Sequence, residues 1–342
     1  MLLSDFDYDL PPQLIAQHPP AERGQSRLLV IPRAGGPRQH RQFSDLPAYL
    51  RPGDCLVLND TKVIPARLVG QRPTGGQAEV LLLRPLAEGL WEALVRPGRR
   101  LRAGQTVTVT PELTIEIVAE REEGLRSVRL HHEGELLPLL DRVGLMPLPP
   151  YIHRDTPEPE DRDRYQTVYA AAPGAAAAPT AGLHFTPELL ATLAEQGVGI
   201  ERLTLHVGLG TFRPVTVERL EDHVMHGEWY SLPAAVAERL NRVRAAGGRL
   251  VAVGTTVVRT LESVADEQGQ LHAGEGMTHL FITPGHVFRA TDALLTNFHL
   301  PRSSLLVLVS AFAGRERVLD AYREAIAEQY RFFSYGDATL LV

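Results

Sequence analysis

The segment Cys55-Leu56-Val57-Leu58-Asn59-Asp60-Thr61-Lys62 divides this sequence into two textures. Four apolar residues in a row fit a strand buried on both faces, as in the interior of a parallel sheet. Beyond the polar turn that closes it, the pattern changes. From Val63 to about His132 short β runs succeed one another, at Ile64 to Val69, Ala78 to Leu83, Leu90 to Val95, Thr106 to Val109, Leu113 to Ala119 and Leu125 to His131. Gly and Pro punctuate them at roughly 8–12-residue spacing, which suits a sandwich or small barrel. Before the segment, Ser26 to Ile31 reads as a strand and Phe43 to Leu50 as a helix. After Glu135 helices alternate with strands: Pro187 to Gln196 then Ile200 to Val207, Ala234 to Ala246 then Leu250 to Val253, Thr256 to Asp266 then His279 to Ile282. Such alternation argues for an α/β layer. The expectation is a discontinuous α/β domain, residues 1–62 and 135–342, with an inserted all-β, barrel-like domain at 63–134.

The 342 residues carry 35 basic and 41 acidic side chains, and the formal net charge of −6 excludes a strongly basic nucleic-acid scavenger. A chain this long exceeds the ~250–300 residues at which single cores split, so two domains are the default. The one cysteine, Cys55, cannot form an internal disulfide and reads as a buried thiol in a reducing cytoplasm. Met1-Leu2-Leu3-Ser4-Asp5-Phe6-Asp7 lacks the features of a signal peptide. The longest apolar stretch, Ser304 to Gly314, is about half of the ~20 residues a membrane span needs. No membrane association is expected.

Among the basic residues 34 are Arg and one, Lys62, is lysine. Asparagine is nearly as scarce, at Asn59, Asn241 and Asn297, whereas Gln occurs 13 times. Thermal selection against labile amides would have removed Gln too, so a GC-rich coding bias fits better. A lysine that survives such drift is expected to do something Arg cannot. An ammonium can lose its proton in a dry site and a guanidinium cannot.

Four polar or glycine-bearing loops follow predicted strands, where α/β sheets place ligands. They are Asn59-Asp60-Thr61-Lys62, His206-Val207-Gly208-Leu209-Gly210-Thr211-Phe212, Gly254-Thr255-Thr256 and Thr296-Asn297-Phe298-His299-Leu300-Pro301. The Gly-Thr-Thr turn, opening a helix that carries Arg259 and Glu262, offers N–H groups and hydroxyls to an anion. Plain helix capping is the alternative. The His206 loop lacks the third glycine of a dinucleotide fingerprint. His223, His226 and Glu228 form His-x-x-His-x-Glu, and with no further ligand cluster a metal site is disfavoured. Proton transfer by His226, its tautomer held by Glu228, is the functional reading, and a structural histidine the other. Asp155 to Arg164 reads as an exposed loop leading into a helix, and Ala170 to Pro179 as either a linker or part of the fold. Four aromatics in Tyr330 to Asp337 suit either core or stacking on a base.

Together these segments resemble a known family. Phe6 to Pro11, Ser26 to Val30, Asn59 to Arg67, Pro179 to Thr186, His206 to Pro214, Met225-His226, Gly254 to Thr256, Thr296 to Pro301 and Tyr330 to Asp337 are similar to the S-adenosylmethionine:tRNA ribosyltransferase-isomerases of queuosine biosynthesis. The resemblance implies a cytoplasmic enzyme acting on tRNA that bears 7-aminomethyl-7-deazaguanine (preQ1) at the wobble position. It would transfer and isomerise the ribosyl part of S-adenosylmethionine to give epoxyqueuosine, releasing adenine and methionine, on an α/β domain with an inserted β-barrel. Two positions depart from the family pattern: Ala171 and Val224 stand where it has lysine.

That reaction needs a base for the ribose C5′–H beside the sulfonium, an acid for the leaving adenine and a neutral preQ1 amine. It needs no metal and no further cofactor, since S-adenosylmethionine is a substrate. His206 or His226 is expected to be the base, with Glu228 orienting it. Asp60 is a candidate acid or contact to the preQ1 ammonium, and Lys62 a proton-transfer group or point charge. Gly208, Gly210, Thr211, Gly254, Thr255 and Thr256 are expected at the S-adenosylmethionine site, with Arg259 near a carboxylate. Asn59, Thr61, Thr180, His184, Asn297, His299, Tyr335 and Asp337 are carried over from the matched motifs as further substrate contacts. A net-negative monomer that binds tRNA needs a local basic face. Arg96, Arg99, Arg100 and Arg102, with Arg72 and Arg84 nearby, supply one on the inserted domain. The competing reading is a non-catalytic RNA-binding β-barrel protein whose histidine loops are structural.

Overall fold

The structure is a computed structural model that describes residues 1–86, 89–154, 158–208 and 215–342. Its larger part is built on a nine-stranded sheet. From edge to edge the order is Gly274–Thr278, Glu228–Leu232, Gly199–Leu205, Cys55–Asn59, Leu250–Val253, Ala293–Asn297, Ala338–Leu341, Arg27–Ile31 and Gln39–Gln42. The four strands from Gly199–Leu205 to Ala293–Asn297 run parallel, so their C-terminal ends meet on one side. Alternate side chains leave a strand on opposite faces, and both faces here are covered. Val57, Leu203, Ala252 and Leu294 pack beneath the helices Ala234–Ala245, Thr255–Val264, Ser304–Ala313 and Arg315–Ala327. Leu56, Leu58, Val251 and Leu295 pack on the opposite side with Leu193 of the helix Pro187–Glu195 and with Phe43 and Leu46. The apolar Ser304 stretch is thus a buried helix, capped by the Ser303 hydroxyl, which accepts the Leu306 N–H at 3.2 Å.

Six strands, Arg67–Gln71, Gln77–Pro85, Leu90–Arg96, Thr106–Thr110, Leu113–Glu120 and Leu125–His132, close into a barrel. Leu68, Val80, Leu82, Val107, Ile115 and Val128 fill its interior. Where Arg67–Gln71 meets Thr106–Thr110, a Cβ on Gly70 would lie 2.4 Å from the Thr108 carbonyl oxygen, so glycine permits the closure. The helix Leu136–Val143 sends Leu139 and Leu140 into the same interior.

Five local expectations change. The run Ile64 to Val69 is broken, because Pro65 has no N–H to donate. Thr61–Val63 pairs instead with Ala172–Ala175, and Arg67 begins the barrel. Ala170 to Pro179 is therefore no linker, and Ala176, Ala177 and Ala178 behind that strand are buried. Phe43–Tyr49 winds as a 3₁₀ helix with Pro47 inside it. The strand expected at His279 to Ile282 lies earlier, at Gly274–Thr278, paired with Glu228–Leu232. It stops where the Arg259 guanidinium takes the carbonyls of Thr278 and Leu280, at 3.2 and 3.0 Å, away from the ladder. In the stretch read as an exposed loop, Asp161 is buried and held bidentately by Arg154 at 2.8 and 3.0 Å. Among the described residues no helix is long and apolar enough to cross a membrane.

Candidate active site

A cavity of about 470 Å³ opens at the C-terminal ends of the parallel strands, within the size range of small-molecule sites. Gly254, Thr255, Thr256 and Arg259 form one wall, and the loop from Asn297 to Ser304 another. Met225, His226 and Glu228 face them, while Tyr151, Phe281 and Phe333 provide aromatic surface.

Two asparagines hold these walls in register. The Asn59 carboxamide oxygen accepts the N–H groups of Thr61 and Leu205, at 3.1 and 3.0 Å. Its nitrogen donates to the Leu205 carbonyl at 2.9 Å and the Thr256 hydroxyl at 3.3 Å. One fully satisfied amide thereby ties three strand ends together, which explains its persistence. Asn297 accepts from the Thr180 hydroxyl at 3.1 Å and donates to the Phe333 carbonyl at 3.1 Å and to His184 Nε2 at 3.0 Å. With Nε2 accepting, the His184 proton sits on Nδ1 and goes to the Ser26 hydroxyl at 2.8 Å.

Glu228 is buried and committed. Its carboxylate pairs with Arg259, which is equally buried, and also accepts the Gly208 N–H at 3.1 Å. It does not orient His226. The carboxylate nearest the His226 ring comes from the barrel, where Glu123 lies 3.7 Å from Nε2. Glu123 adopts a left-handed backbone, φ 57°, in the turn Glu122–Gly124. Arg302 and Phe333, both on the cavity wall, are also left-handed at 57° and 75°, so three of the four non-glycine residues described with this conformation cluster here. Strain of this kind, of order 1–3 kcal/mol each, persists where the surroundings impose it and concentrates at functional sites.

The family model described as "Queuosine biosynthesis protein" matches residues 3–341. The chain belongs to this family. An S-adenosylmethionine:tRNA ribosyltransferase-isomerase from Symbiobacterium thermophilum is 58% identical over the whole of both chains. One of the same name from Moorella thermoacetica is 56% identical over the whole of both. The crystal structure of S-adenosylmethionine tRNA ribosyltransferase from Thermotoga maritima is 38% identical, covers 99% of this chain and all of its own, and superposes with a TM-score of 0.56.

In this queuosine biosynthesis protein the expected site residues fall into three groups. Thr180, Gly254, Thr255, Thr256, Arg259, Asn297, His299, His226 and Glu228 line the cavity. Arg259 does meet a carboxylate, that of Glu228, rather than leaving its charge for a ligand. His206 lies outside the wall. Its Nδ1 meets the Thr61 hydroxyl at 2.7 Å, and its ring stacks on Trp229 with centroids 5.0 Å apart. The ring also occupies the space above Gly174, where a Cβ would lie 2.8 Å from Nε2. Asp60 faces this second cluster, accepting the Thr204 hydroxyl at 2.7 Å. Gly208 serves Glu228, and Gly210 and Thr211 lie outside the described residues.

The third group is structural. Asn59 is the buried tie already described. Asp337 accepts the N–H groups of Arg27 and Arg331 at 2.8 and 2.7 Å. Tyr335 donates to Asp161 at 3.1 Å. Its neighbours Phe333 and Ser334 reach the cavity instead. Lys62 is exposed, because on Thr61–Val63 the outer residues turn inward and the middle one outward. The dry surroundings expected for it are not there.

His184 and His299 are fully buried, and desolvation holds both imidazoles down to about 3. Burial also lowers His206 and His223, although Asp60 opposes it at His206. An unfolded histidine titrates near 6.5, so below that pH the unfolded chain binds more protons than the folded one. Stability is therefore expected to fall as pH drops from 6.5 towards 3, by about 1.4 kcal/mol per pH unit for each such histidine. Urea midpoints measured between pH 6.5 and 5, where carboxylates remain ionised, should decline with a slope of at least about two protons. A flat midpoint would contradict the buried neutral assignment.

Proposed function

We propose that this family member is an S-adenosylmethionine:tRNA ribosyltransferase-isomerase, acting on preQ1 at the wobble position and releasing adenine and methionine. The observation that carries the reading is the cavity, whose lining brings the aromatic rings of Tyr151 and Phe333 together with His226. The aromatic end suits a purine base, and the apolar lining strengthens electrostatic effects at a sulfonium. His226 removes the C5′ proton that the sulfonium acidifies, in a pocket where water is largely displaced. Adenine leaves C1′ with a proton as the neutral preQ1 amine bonds there, and the sugar ring opens to the C1′ imine. The deprotonated C5′ closes the carbocycle onto C1′, and the freed ring oxygen on C4′ displaces methionine from C5′ to form the epoxide. The Arg259–Glu228 pair holds Gly208 and the Thr278–Leu280 carbonyls, and so sets the wall around His226. Substrate and sulfonium supply the driving chemistry, and no further cofactor enters. We take the enzyme to work on tRNA in the cytoplasm as a monomer.

A non-catalytic RNA-binding barrel does not account for a cavity in the α/β layer, and the relatives are named as enzymes. The purified protein incubated with S-adenosylmethionine and preQ1-tRNA is expected to release adenine and methionine in equal amounts as preQ1 disappears. Formation of S-adenosylhomocysteine without adenine would replace this reading with methyl transfer.

A further inference from the structure

The barrel carries an unneutralised cluster of arginines. Arg99 and Arg100 lie on the turn Gly98–Arg100 and Arg102 follows it, all three exposed. None forms an ion pair or side-chain hydrogen bond among the described residues. Three arginines elsewhere on the barrel and its helix are matched, Arg67 with Glu79, Arg84 with Glu92 and Arg142 with Glu112, while the exposed Arg96, just before the turn, adds to the unpaired charge. An unpaired group of like charges in a chain of net charge −6 is a local field that favours an anion.

The turn is held from beneath. Arg126 is buried, and its guanidinium donates to the carbonyls of Leu101, Gly98 and Leu125, each at 2.9 Å. Among the described residues only one carboxylate approaches it, Glu120 at 3.4 Å and half exposed. A buried cation spent on three carbonyls fixes the backbone that carries the exposed arginines, and it adds positive charge below them. The strand that contains Arg126 begins just after Glu122–Gly124, the turn that reaches His226 on the cavity wall. The Cα atoms of Glu123 and Arg126 can be at most about 11 Å apart, since three residues extend no further.

We propose that the Gly98–Arg102 turn is the docking surface for the sugar–phosphate backbone of the tRNA anticodon arm. It would hold the arm while the wobble nucleotide enters the neighbouring cavity. This rests on the tRNA-modifying function proposed above. The exposed arginines meet phosphates as point charges, and Arg126 is a positioning residue that keeps them on one rigid turn.

The test is binding of a preQ1-bearing anticodon stem–loop and of full-length tRNA by wild type and by the triple variant R99S/R100S/R102S, over a range of salt. The variant is expected to bind both at least about tenfold more weakly at 0.1 M salt and to lose about two to three from the log–log salt slope. Its affinity for S-adenosylmethionine should stay within twofold of wild type. The set R99K/R100K/R102K should recover most of the affinity, because phosphate contact needs charge more than a planar fork. Unchanged affinity and slope in the serine variant would overturn the assignment, as would an equal loss of S-adenosylmethionine binding. Wild-type protein that binds tRNA through this turn but releases no adenine would defeat the proposed activity and leave the docking surface standing.

Discussion

His226→Ala is expected to lower adenine release from S-adenosylmethionine by about 10²–10⁴-fold, the range that a positioned general base contributes. The ring lines the cavity and its Nε2 faces the Glu123 carboxylate at 3.7 Å. The side chain is about one-third exposed, at 34%, so removing it leaves no buried polar group behind. Stability and S-adenosylmethionine affinity should change little, and the loss should fall on turnover. Because truncation opens space at the same point, added imidazole should restore part of the rate. His206→Ala is the matched control, since that ring sits on Trp229 away from the wall. Near-normal turnover in the His226 variant would remove it from the mechanism, and a large loss confined to His206→Ala would move the chemistry to the second cluster.

The largest stability effect is expected at Arg259. Arg259→Met leaves the Glu228 carboxylate buried beside an apolar side chain and frees the carbonyls of Thr278 and Leu280. Breaking a buried pair from one side costs about 3–5 kcal/mol. The loss should appear as a lower denaturant midpoint and as weaker S-adenosylmethionine binding, because both residues line the cavity. Glu228→Gln combined with Arg259→Met should recover part of the stability, since the residual charge is then gone. A double variant no more stable than Arg259→Met would mean that the lost carbonyl bonds, not the stranded carboxylate, dominate.

The fold was legible because its elements announce themselves locally. Cys55 to Leu58 is apolar on both faces because both faces are covered, and the change of texture after Lys62 comes a few residues before the closed barrel that Arg67 begins. Where a partner lies far along the chain, local pattern misled. Gly274–Thr278 has little strand propensity and is a strand because Glu228–Leu232 offers it a ladder. Glu228 stands two residues from His226, which suggested a pair, yet its partner is 31 residues on. The carboxylate nearest His226 comes from the barrel, across a separation that no spacing rule reaches. Scarcity was a better guide for asparagine than for lysine. Asn59 and Asn297 prove to be multiply bonded ties at the cavity, whereas Lys62 turns outward by strand alternation. Phe333 was within reach, since it sits in a segment already singled out. Its left-handed backbone, which carries the ring to the wall, leaves no mark in the residue type.

The position of Ala338–Leu341 has a consequence for biosynthesis. It follows every other strand of the sheet in the chain, yet it lies between Ala293–Asn297 and Arg27–Ile31, pairing with both. Emerging from the ribosome, the barrel can close as soon as its six strands are out, because all of them fall between Arg67 and His132. The sheet cannot. Arg27–Ile31 must wait with one edge unpaired through the translation of some 300 residues, about 15–60 s at ordinary elongation rates. A nascent chain of this kind exposes an aggregation-prone edge until Ala338–Leu341 is made, and emergence of that strand, not of the cavity residues, is the moment at which the sheet can lock.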